Sequence, residues 1–465
     1  MPRPPRPQTG LFVIGLGTIA APLDTAVNIA MPSITAAFAL ALEDIRWIVI
    51  AYVLTYSSLM LVFGRLGDLL GYRPIFQLGL LVSALGFAAC AAAPTYPLVL
   101  LGRVLQGIGT ALALSCGPAL ATSLFDEGER ARALAFYAGA TAVGSALGPL
   151  AGGLLVERWG WSAVFAFRVP VVALALALSW RLPGVERRGS MRGFDAIGAA
   201  LLVSWMSALL LGLAVLPAGL GPLLPLGLGL VALVLLAAFL VHETSSPQPL
   251  IRLGLFRNVD FAVMNAASIA VHFAAFAILI LVPYYLVRTA GLEATAGGAM
   301  LALGALGTVA GSWATGRLAR RISTGRLALA GIVLAIAGLG SVAAWTEAAP
   351  MAVIALSLLA QGFGLGLFQV AYADFVTATL PVADRGVAGS LTMVTRTIGV
   401  VAGATGLSAA LTHFEAAALA AGAGAAEAFL AGFRTTFIAV AAALAGLLAL
   451  SLAHPRVWLG PGNRQ

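Results

Sequence analysis

Long apolar blocks constrain what this chain can fold into more than any other feature of its sequence. Two examples are Leu98 to Leu124 and Leu223 to Val241, which approach the roughly 20 residues that an α-helix needs to cross hydrocarbon. Of the 465 residues, 61% are hydrophobic and only 9% are charged, so the charges are too few to cover a water-exposed surface. Barrel strands would alternate polar and apolar residues, which these blocks do not. The blocks therefore predict membrane-spanning helices.

The boundaries of the blocks and the arginines between them set the number and direction of the spans. All 26 basic residues are arginine, and most lie on one side when both termini are placed in the cytoplasm, as the positive-inside rule favours. We interpret the net charge of +8 as topology and not as nucleic-acid binding. The fourteen predicted spans are 10–32, 46–67, 75–93, 97–122, 133–156, 161–181, 195–216, 220–241, 260–287, 296–316, 326–345, 350–379, 386–410 and 432–452.

Two pairs of segments repeat at nearly the same distance along the chain. GRLGDLLGYR begins at Gly64 and GRLARRISTGR at Gly316, while LQGIG around Gln106 corresponds to AQGFG around Gln361. The offsets are 252 and 255 positions. Two matches at nearly one offset indicate duplicated halves related by a parallel repeat.

The repeat divides the chain into three predicted units. Residues 1–181 form an N-terminal six-helix bundle and residues 260–465 form a C-terminal six-helix bundle. Residues 182–259 hold an inserted two-helix hairpin with its linkers. The predicted fold class is therefore an all-α polytopic membrane protein of two six-helix bundles plus two inserted central helices.

The first span carries a carboxylate. LDTAVNIAMP places Asp24, Asn28 and Pro32 four residues apart, and side chains at this spacing share one face of a helix. Counted from an outer end near Pro32, Asp24 lies about 12 Å deep, and Arg103 of span four lies about 9 Å deep. A charge inside hydrocarbon is costly and marks a functional candidate. We predict that Asp24 and Arg103 pair, as a proton switch or as a permanent structural ion pair, with Asn28 as a candidate substrate or relay residue.

Two glycine-containing motifs accompany this pair. After span two, GRLGDLLGYRP places Gly64, Asp68, Gly71 and Arg73 at the cytoplasmic edge, where Asp68 either joins neighbouring helix ends as a gate or belongs to a plain surface turn. Span five contains GSALGPLAGG, a row of small residues that allows close packing of membrane helices. The residues of this second motif are Gly144, Gly148, Pro149, Gly152 and Gly153.

The second half of the chain offers fewer candidates. His272 lies roughly 18 Å into span nine by helical rise, with Phe276 one turn later on the same face. A mid-membrane histidine can relay protons or contact substrate, or it can simply form a hydrogen bond between helices. Arg396, about 15 Å into span thirteen, is a further candidate for substrate contact or proton relay.

The chain resembles the fourteen-span drug:proton antiporters of the major facilitator superfamily over nearly its whole length. LDTAVNIAMP, WIVIAYVL, GRLGDLLGYRP, LGRVLQGIG and GSALGPLAGG carry the resemblance. It implies that Asp24 and Arg103 act in proton coupling and that the segment from Gly144 to Gly153 is associated with antiport. There are three departures from the family pattern: Leu69 and Arg320 in the loop motif and its second copy, and Arg168 in place of the usual asparagine, which either binds an anionic group or extends outward to the interface.

The predicted function is proton-coupled export of small amphipathic or hydrophobic compounds by alternating access. Uptake or facilitated transport of a nutrient or metabolite on the same fold is the alternative. HExxH, GxSxG and phosphate-binding GxxxxGK[ST] motifs do not occur, so we predict no enzyme activity, no cofactor and no metal. The expected partners are a small-molecule substrate, protons and the lipid bilayer, with a functional monomer in a bacterial cytoplasmic membrane.

Overall fold

The computed structural model describes residues 7–41, 44–124, 130–182, 195–215, 223–246, 258–319, 321–379 and 385–459. Within these ranges all regular secondary structure is helical. The first helices are α1 (Pro7–Ile19), α2 (Ala26–Ala37), α3 (Arg46–Leu70), α4 (Tyr72–Ala92), α5 (Tyr96–Thr122), α6 (Arg130–Trp159), α7 (Ala163–Ala166) and α8 (Arg168–Ser179), with a 3-10 turn at Pro22–Thr25. The others are α9 (Ala196–Val215), α10 (Leu223–Ser245), α11 (Val259–Arg288), α12 (Ala294–Leu318), α13 (Thr324–Ala343), α14 (Met351–Thr379), α15 (Arg385–Ala420), α16 (Ala425–Ser451) and α17 (Pro455–Leu459).

Ten helical segments of the described residues are long and apolar enough to cross a membrane. The first of them, Thr9–Ala37, joins α1, the 3-10 turn and α2. Many large apolar side chains of these segments face outward, as expected where lipid and not water surrounds the bundle. The all-helical multi-pass architecture predicted from the apolar blocks is confirmed, while the count of fourteen spans stays a prediction.

The last two predicted spans are shorter than the helices that the chain forms. Hydropathy places the end of span thirteen at residue 410 and the start of span fourteen at residue 432, whereas α15 continues to Ala420 and α16 begins at Ala425. The intervening sequence is rich in alanine, which has the highest helix propensity. The helices therefore extend past the most apolar stretch, and only a turn with Gly422 at φ +94° separates them.

Two helix pairs, α4 with α5 and α13 with α14, share a contact at equivalent positions of the sequence repeat. Gly86 of α4 packs on the backbone of Gln106 of α5, and Gly338 of α13 packs on the backbone of Gln361 of α14. A side chain at either glycine would collide with the neighbouring helix. The two contacts are separated by the same 252 and 255 positions as the repeated motifs.

α9 and α10 form a hairpin that packs against α3 and α15 at the junction of the two halves. Asp195 precedes α9 and accepts a hydrogen bond from the Gly198 N–H at 2.8 Å, as an N-cap residue does. The same carboxylate lies 2.7 Å from Nε2 of His242 near the end of α10. These contacts tie the two open ends of the hairpin together.

Two hydrogen bonds between described residues join helices that precede the hairpin to helices that follow it at one end of the bundle. We call the end where α1 begins and α16 ends the terminus side, and the opposite end the far side. Toward the far side, the Thr35 hydroxyl of α2 lies 2.8 Å from the Tyr284 hydroxyl of α11. Glu157 near the end of α6 accepts a hydrogen bond from the Thr295 N–H of α12 at 3.1 Å. These two hydrogen bonds hold the far-side ends of the helices together in this conformation.

Candidate functional site

Asp24 lies where the first span is interrupted. Pro22 has no backbone N–H and a fixed φ, and it starts the 3-10 turn that contains Asp24. Pro32, by contrast, lies inside α2, which continues to Ala37. The prediction that the first span ends near Pro32 is therefore wrong, because α2 continues to Ala37 and Asp24 lies roughly 20 Å from that far end by helical rise. Asn28 is buried in the first turn of α2.

The Asp24 carboxylate accepts a two-pronged hydrogen bond from Arg103 of α5. Nη1 donates to Oδ1 at 2.6 Å and Nη2 donates to Oδ2 at 2.7 Å. Gln106, one turn later on α5, donates to Oδ1 at 3.0 Å, and the Arg103 Nε donates to the Ile48 carbonyl of α3 at 2.8 Å. Bidentate arginine–carboxylate pairs are the strong form of such contacts. The structure thus brings together the two charges that the sequence predicted to pair.

A second arginine reaches the same carboxylate. Arg168 is the first residue of α8, after a break in the span at Phe167, and its Nη1 donates to Asp24 Oδ1 at 2.6 Å. Its Nε donates to the Val164 carbonyl at 2.9 Å, whereas Nη2 is buried without a hydrogen-bond partner in the described part of the chain. The side chain is 0% exposed, so the alternative in which it extends outward to the interface is wrong.

Aromatic rings line the two guanidinium groups. The Arg103 Cζ lies 4.3 Å from the centroid of Tyr52, and the Arg168 Cζ lies 4.5 Å from the centroid of Phe87. Cation–π contacts partly replace the lost hydration of buried cations. The cluster formed by Asp24, Arg103 and Arg168 nevertheless carries one negative and two positive charges.

The small-residue row of α6 packs directly on the turn that carries Asp24. Gly144, Gly148 and Gly152 face the end of α1, the 3-10 turn and the start of α2. An added methyl group at Gly148 would collide with the Thr25 side-chain oxygen. The Thr25 hydroxyl also donates to the Ser145 carbonyl at 3.3 Å. Position 148 therefore needs glycine, since the backbone of α6 and the turn that carries Asp24 are too close together to admit a side chain.

A second face of α6 packs on α12 of the other half. Gly153 lies against the Ala294 carbonyl, and Pro149 presents its own carbonyl to Gly298. The same short segment of α6 therefore contacts the Asp24 turn on one side and the second half on the other. Sequence reasoning identified the small residues but not that they serve two faces.

The loop motif lies at the α3–α4 junction. Gly64 is inside α3, and Gly71 ends the helix with φ +99°, a conformation that favours glycine. Arg73 donates to the Trp180 carbonyl after α8 at 2.7 Å, so it joins two neighbouring helix ends on the terminus side. Part of the predicted gate lies outside what the structure describes. This part consists of the side chains of Asp68 and Leu69 and the whole of Arg320.

His272 of α11 is held by hydrogen bonds on both ring nitrogens. Nδ1 lies 2.8 Å from the Ser268 carbonyl, which can only accept, so Nδ1 carries the proton. Nε2 then accepts from the Gln369 amide of α14 at 3.3 Å. Phe276 is buried and packs against Gly403 of α15. In this conformation His272 is a neutral residue that bridges two helices.

Arg396 of α15 differs from the other two interior arginines because its side chain is exposed. Gly399, three residues later on α15, packs against the His272 side chain of α11. No carboxylate of the described residues pairs with it. Among the residues at these two centres, sequence reasoning missed the contacts of Gln106, Arg168 and Gln369. Arg168 gave a signal, as a charge in place of a usual asparagine, and Gln106 gave one as part of the repeated LQGIG motif, whereas Gln369 gave none.

Comparisons with known proteins identify the family. Residues 13–404 match the model of the Major Facilitator Superfamily, so the chain belongs to that family of transporters and is not a member of an enzyme family. Among its relatives, the Tetracenomycin C resistance and export protein of Streptomyces glaucescens is 30% identical over 389 residues, which cover 83% of this chain and 72% of the relative. The riboflavin transporter RibZ of Clostridioides difficile is 26% identical, over 84% of this chain and 86% of the relative.

A solved structure shares the architecture. The inward-facing, unoccupied bacterial homologue of the human lysosomal transporter Spinster superposes with a TM-score of 0.72 at 17% identity, covering 98% of each chain. This likeness shows that the chain has the same fold.

Proposed function

We propose that this protein is a proton-coupled exporter of small amphipathic or hydrophobic compounds that works by alternating access. The observation that carries the proposal is the Asp24 carboxylate, held by two arginines at a break in the first span. A carboxylate with a side chain only 14% exposed is costly to keep inside a membrane. Reversible proton binding explains why a carboxylate is kept at this position, whereas structural pairing alone does not.

The charge balance suggests how a proton changes the conformation. Protonation of Asp24 removes the negative charge between Arg103 and Arg168 and leaves two buried cations side by side. Like charges at this distance repel strongly in a low dielectric. Protonated Asp24 therefore favours a conformation in which at least one arginine has moved away, and proton release favours the conformation described above.

α6 is suited to transmit this change between the halves. Its small residues touch the Asp24 turn on one face and α12 on the other, so a movement of the turn alters a contact between the halves. Small residues allow helices to slide at close approach. We assign Gly144, Gly148, Pro149, Gly152 and Gly153 to this role, and Gly64, Asp68, Gly71 and Arg73 to a gate on the terminus side.

The relatives named as resistance and export proteins support export, whereas the riboflavin transporter keeps uptake as a second candidate function. Asp24, Arg103 and the α6 row favour a proton-coupled exporter over a facilitator. A neutral, hydrogen-bonded His272 makes Asp24 the stronger candidate for the proton site.

The test of the proposed function is proton flux in proteoliposomes with an internal pH indicator, across a panel of cationic, neutral and anionic compounds. We expect a transported compound to move against its gradient while protons move in the opposite direction. Proton movement in the same direction as substrate would indicate uptake by symport. Transport without proton movement would contradict coupling altogether.

We further propose fourteen spans with both termini in the cytoplasm of a bacterial cell, two six-helix bundles at residues 1–181 and 260–465, a hairpin within 182–259, and a functional monomer. Arginines concentrated on the terminus side support this orientation. The hairpin contacts both halves, as an insertion between two bundles would.

Cysteine labelling in intact cells tests this topology. We expect cysteines at Gly189 and Arg321 to react only after the membrane is opened, and a cysteine at Ala421 to react from outside. Arg321 is exposed between α12 and α13, whereas a side chain at nearby Gly325 would collide with α17. The native Cys90 and Cys116 are buried and serve as the unlabelled background. Labelling of all three positions from one side would contradict the map.

A further inference from the structure

The inference concerns the side of α15 that carries Arg396. Val394 and Ile398 of α15 pack on the α9–α10 hairpin, and the Thr397 hydroxyl donates to the Ser57 hydroxyl of α3 at 2.6 Å. The Thr395 hydroxyl lies 3.0 Å from that of Ser268 on α11. Successive residues of a helix are about 100° apart. Arg396 therefore points away from the hairpin, into the space between α3 of one half and α11 of the other.

Arg396 lies deep in this space. It is eleven residues into α15, or roughly 16 Å by helical rise. A charge facing lipid at that depth is expensive, whereas one facing an internal, water-filled space is tolerated. Its exposed side chain thus belongs to the path between the halves. On α14, the Gln369 amide is half-buried and oriented by its hydrogen bond to His272, and α15 packs on His272 three residues after Arg396, at Gly399.

Among the described residues at these two centres, the arginines outnumber the carboxylates that pair with them. Asp24 neutralises only one of Arg103 and Arg168, and no carboxylate of the described residues pairs with Arg396. His272 contributes no negative charge in either protonation state. A positive potential in a low-dielectric path attracts anions and repels cations. The guanidinium fork matches a carboxylate in a two-pronged geometry.

We propose that the substrate is an amphipathic compound with a carboxylate, and that this carboxylate binds Arg396 with Gln369 as a second polar contact. The assignment of this compound as the substrate rests on the proposed export function. The assignment of Arg396 as an anion-binding residue rests only on the charges described above. An inside-negative membrane potential drives a monoanion outward, which agrees with export. A cationic compound would have to approach the exposed Arg396 guanidinium, with which no carboxylate of the described residues pairs.

Binding is tested with matched compounds that differ only at the acidic group. The probes are pyrenebutyric, naphthaleneacetic, deoxycholic and salicylic acids, each compared with its primary amide, and their dissociation constants are measured on purified full-length protein by thermal shift. We expect at least one acid to bind more tightly than its amide. In Arg396→Gln this acid should bind about 10–100-fold more weakly, the range for loss of a charged hydrogen bond.

Two variants separate a specific site from a general charge effect. Arg396→Lys keeps the charge and should retain the preference for acid over amide. Arg317→Gln removes one positive charge near the end of α12, where the guanidinium lies on Trp313, and should bind the acid like the wild type. The proposal is overturned if no acid binds, if amides bind as well as acids, or if Arg317→Gln weakens binding as much as Arg396→Gln.

Transport assays with the same probes test the anion-binding site and the proposed export function separately. Acids that bind at Arg396 but are not moved by a proton gradient would contradict export and leave the anion site intact. Proton-coupled export of neutral or cationic compounds, with no acid bound, would uphold export and overturn the anion site.

Discussion

Replacing Asp24 by asparagine should abolish substrate-dependent proton flux and uphill export in proteoliposomes. Asparagine has nearly the same size as aspartate but cannot bind and release a proton in the relevant pH range. We expect proton coupling to be lost completely, because no other carboxylate of the described residues contacts Arg103 or Arg168. The measurement is proton movement on addition of substrate, alongside substrate accumulation.

The structure shows that this substitution also changes stability. Asp24 Oδ1 accepts from three donors and Oδ2 from a fourth, so an asparagine amide would direct N–H groups at guanidinium donors. Removing one member of a buried charge cluster typically costs about 3–5 kcal/mol. The single variant therefore needs a control that keeps the cluster charge constant.

Asp24→Asn combined with Arg168→Asn provides that control. The wild-type cluster has one negative and two positive charges, and the double variant retains only Arg103, so the net charge of the cluster is +1 in both. We expect the double variant to insert and unfold near the temperature of the wild type, yet to show no proton coupling. Arg168→Asn alone keeps the Asp24–Arg103 pair and the titratable carboxylate, so it should still show substrate-dependent proton flux, but at a lower rate than the wild type because protonation then leaves no pair of repelling cations. If the double variant accumulates substrate uphill with unchanged proton flux, Asp24 is not the coupling site.

The features that could be predicted from the sequence are those that a single residue or a local pattern determines. Apolar blocks give helices because hydrocarbon leaves the backbone no other partner. Asp24 and Arg103 could be paired because few charges occur at such depth. The glycine row of α6 indicated close packing, since a series of small residues on one face has no other advantage in a helix.

The features that could not be predicted depend on where helices end and on contacts between distant helices. Pro32 does not end α2, which continues to Ala37, so the assumed helix end misplaced Asp24, and no sequence pattern indicated the direction of the Arg168 side chain. Gln369 carries no periodic signal, and its contact with His272 depends on how α11 and α14 approach each other. Family resemblance pointed to Asp24 and Arg103 but supplied no partner for Arg396.

Replacing Gly148 by leucine should leave a folded, inserted protein with little or no transport. A side chain at this position meets the Thr25 side-chain oxygen and, at 3.2 Å, the Ala26 backbone nitrogen. Leucine must therefore push α6 away from the Asp24 turn or displace the turn itself. Overpacking of this kind costs about 1–3 kcal/mol, less than the roughly 5–15 kcal/mol that keeps typical proteins folded.

The matched control is Gly446→Leu in α16, where an added side chain meets nothing within 4 Å. We expect this variant to transport like the wild type at equal abundance, as judged by initial rates in proteoliposomes. A compensating pair tests the contact itself: Gly148→Ala should reduce transport, and adding Thr25→Ala, which removes the colliding oxygen, should restore part of it. Wild-type rates for Gly148→Leu, or no gain from the second substitution, would show that close packing of α6 on the Asp24 turn is not what transport requires.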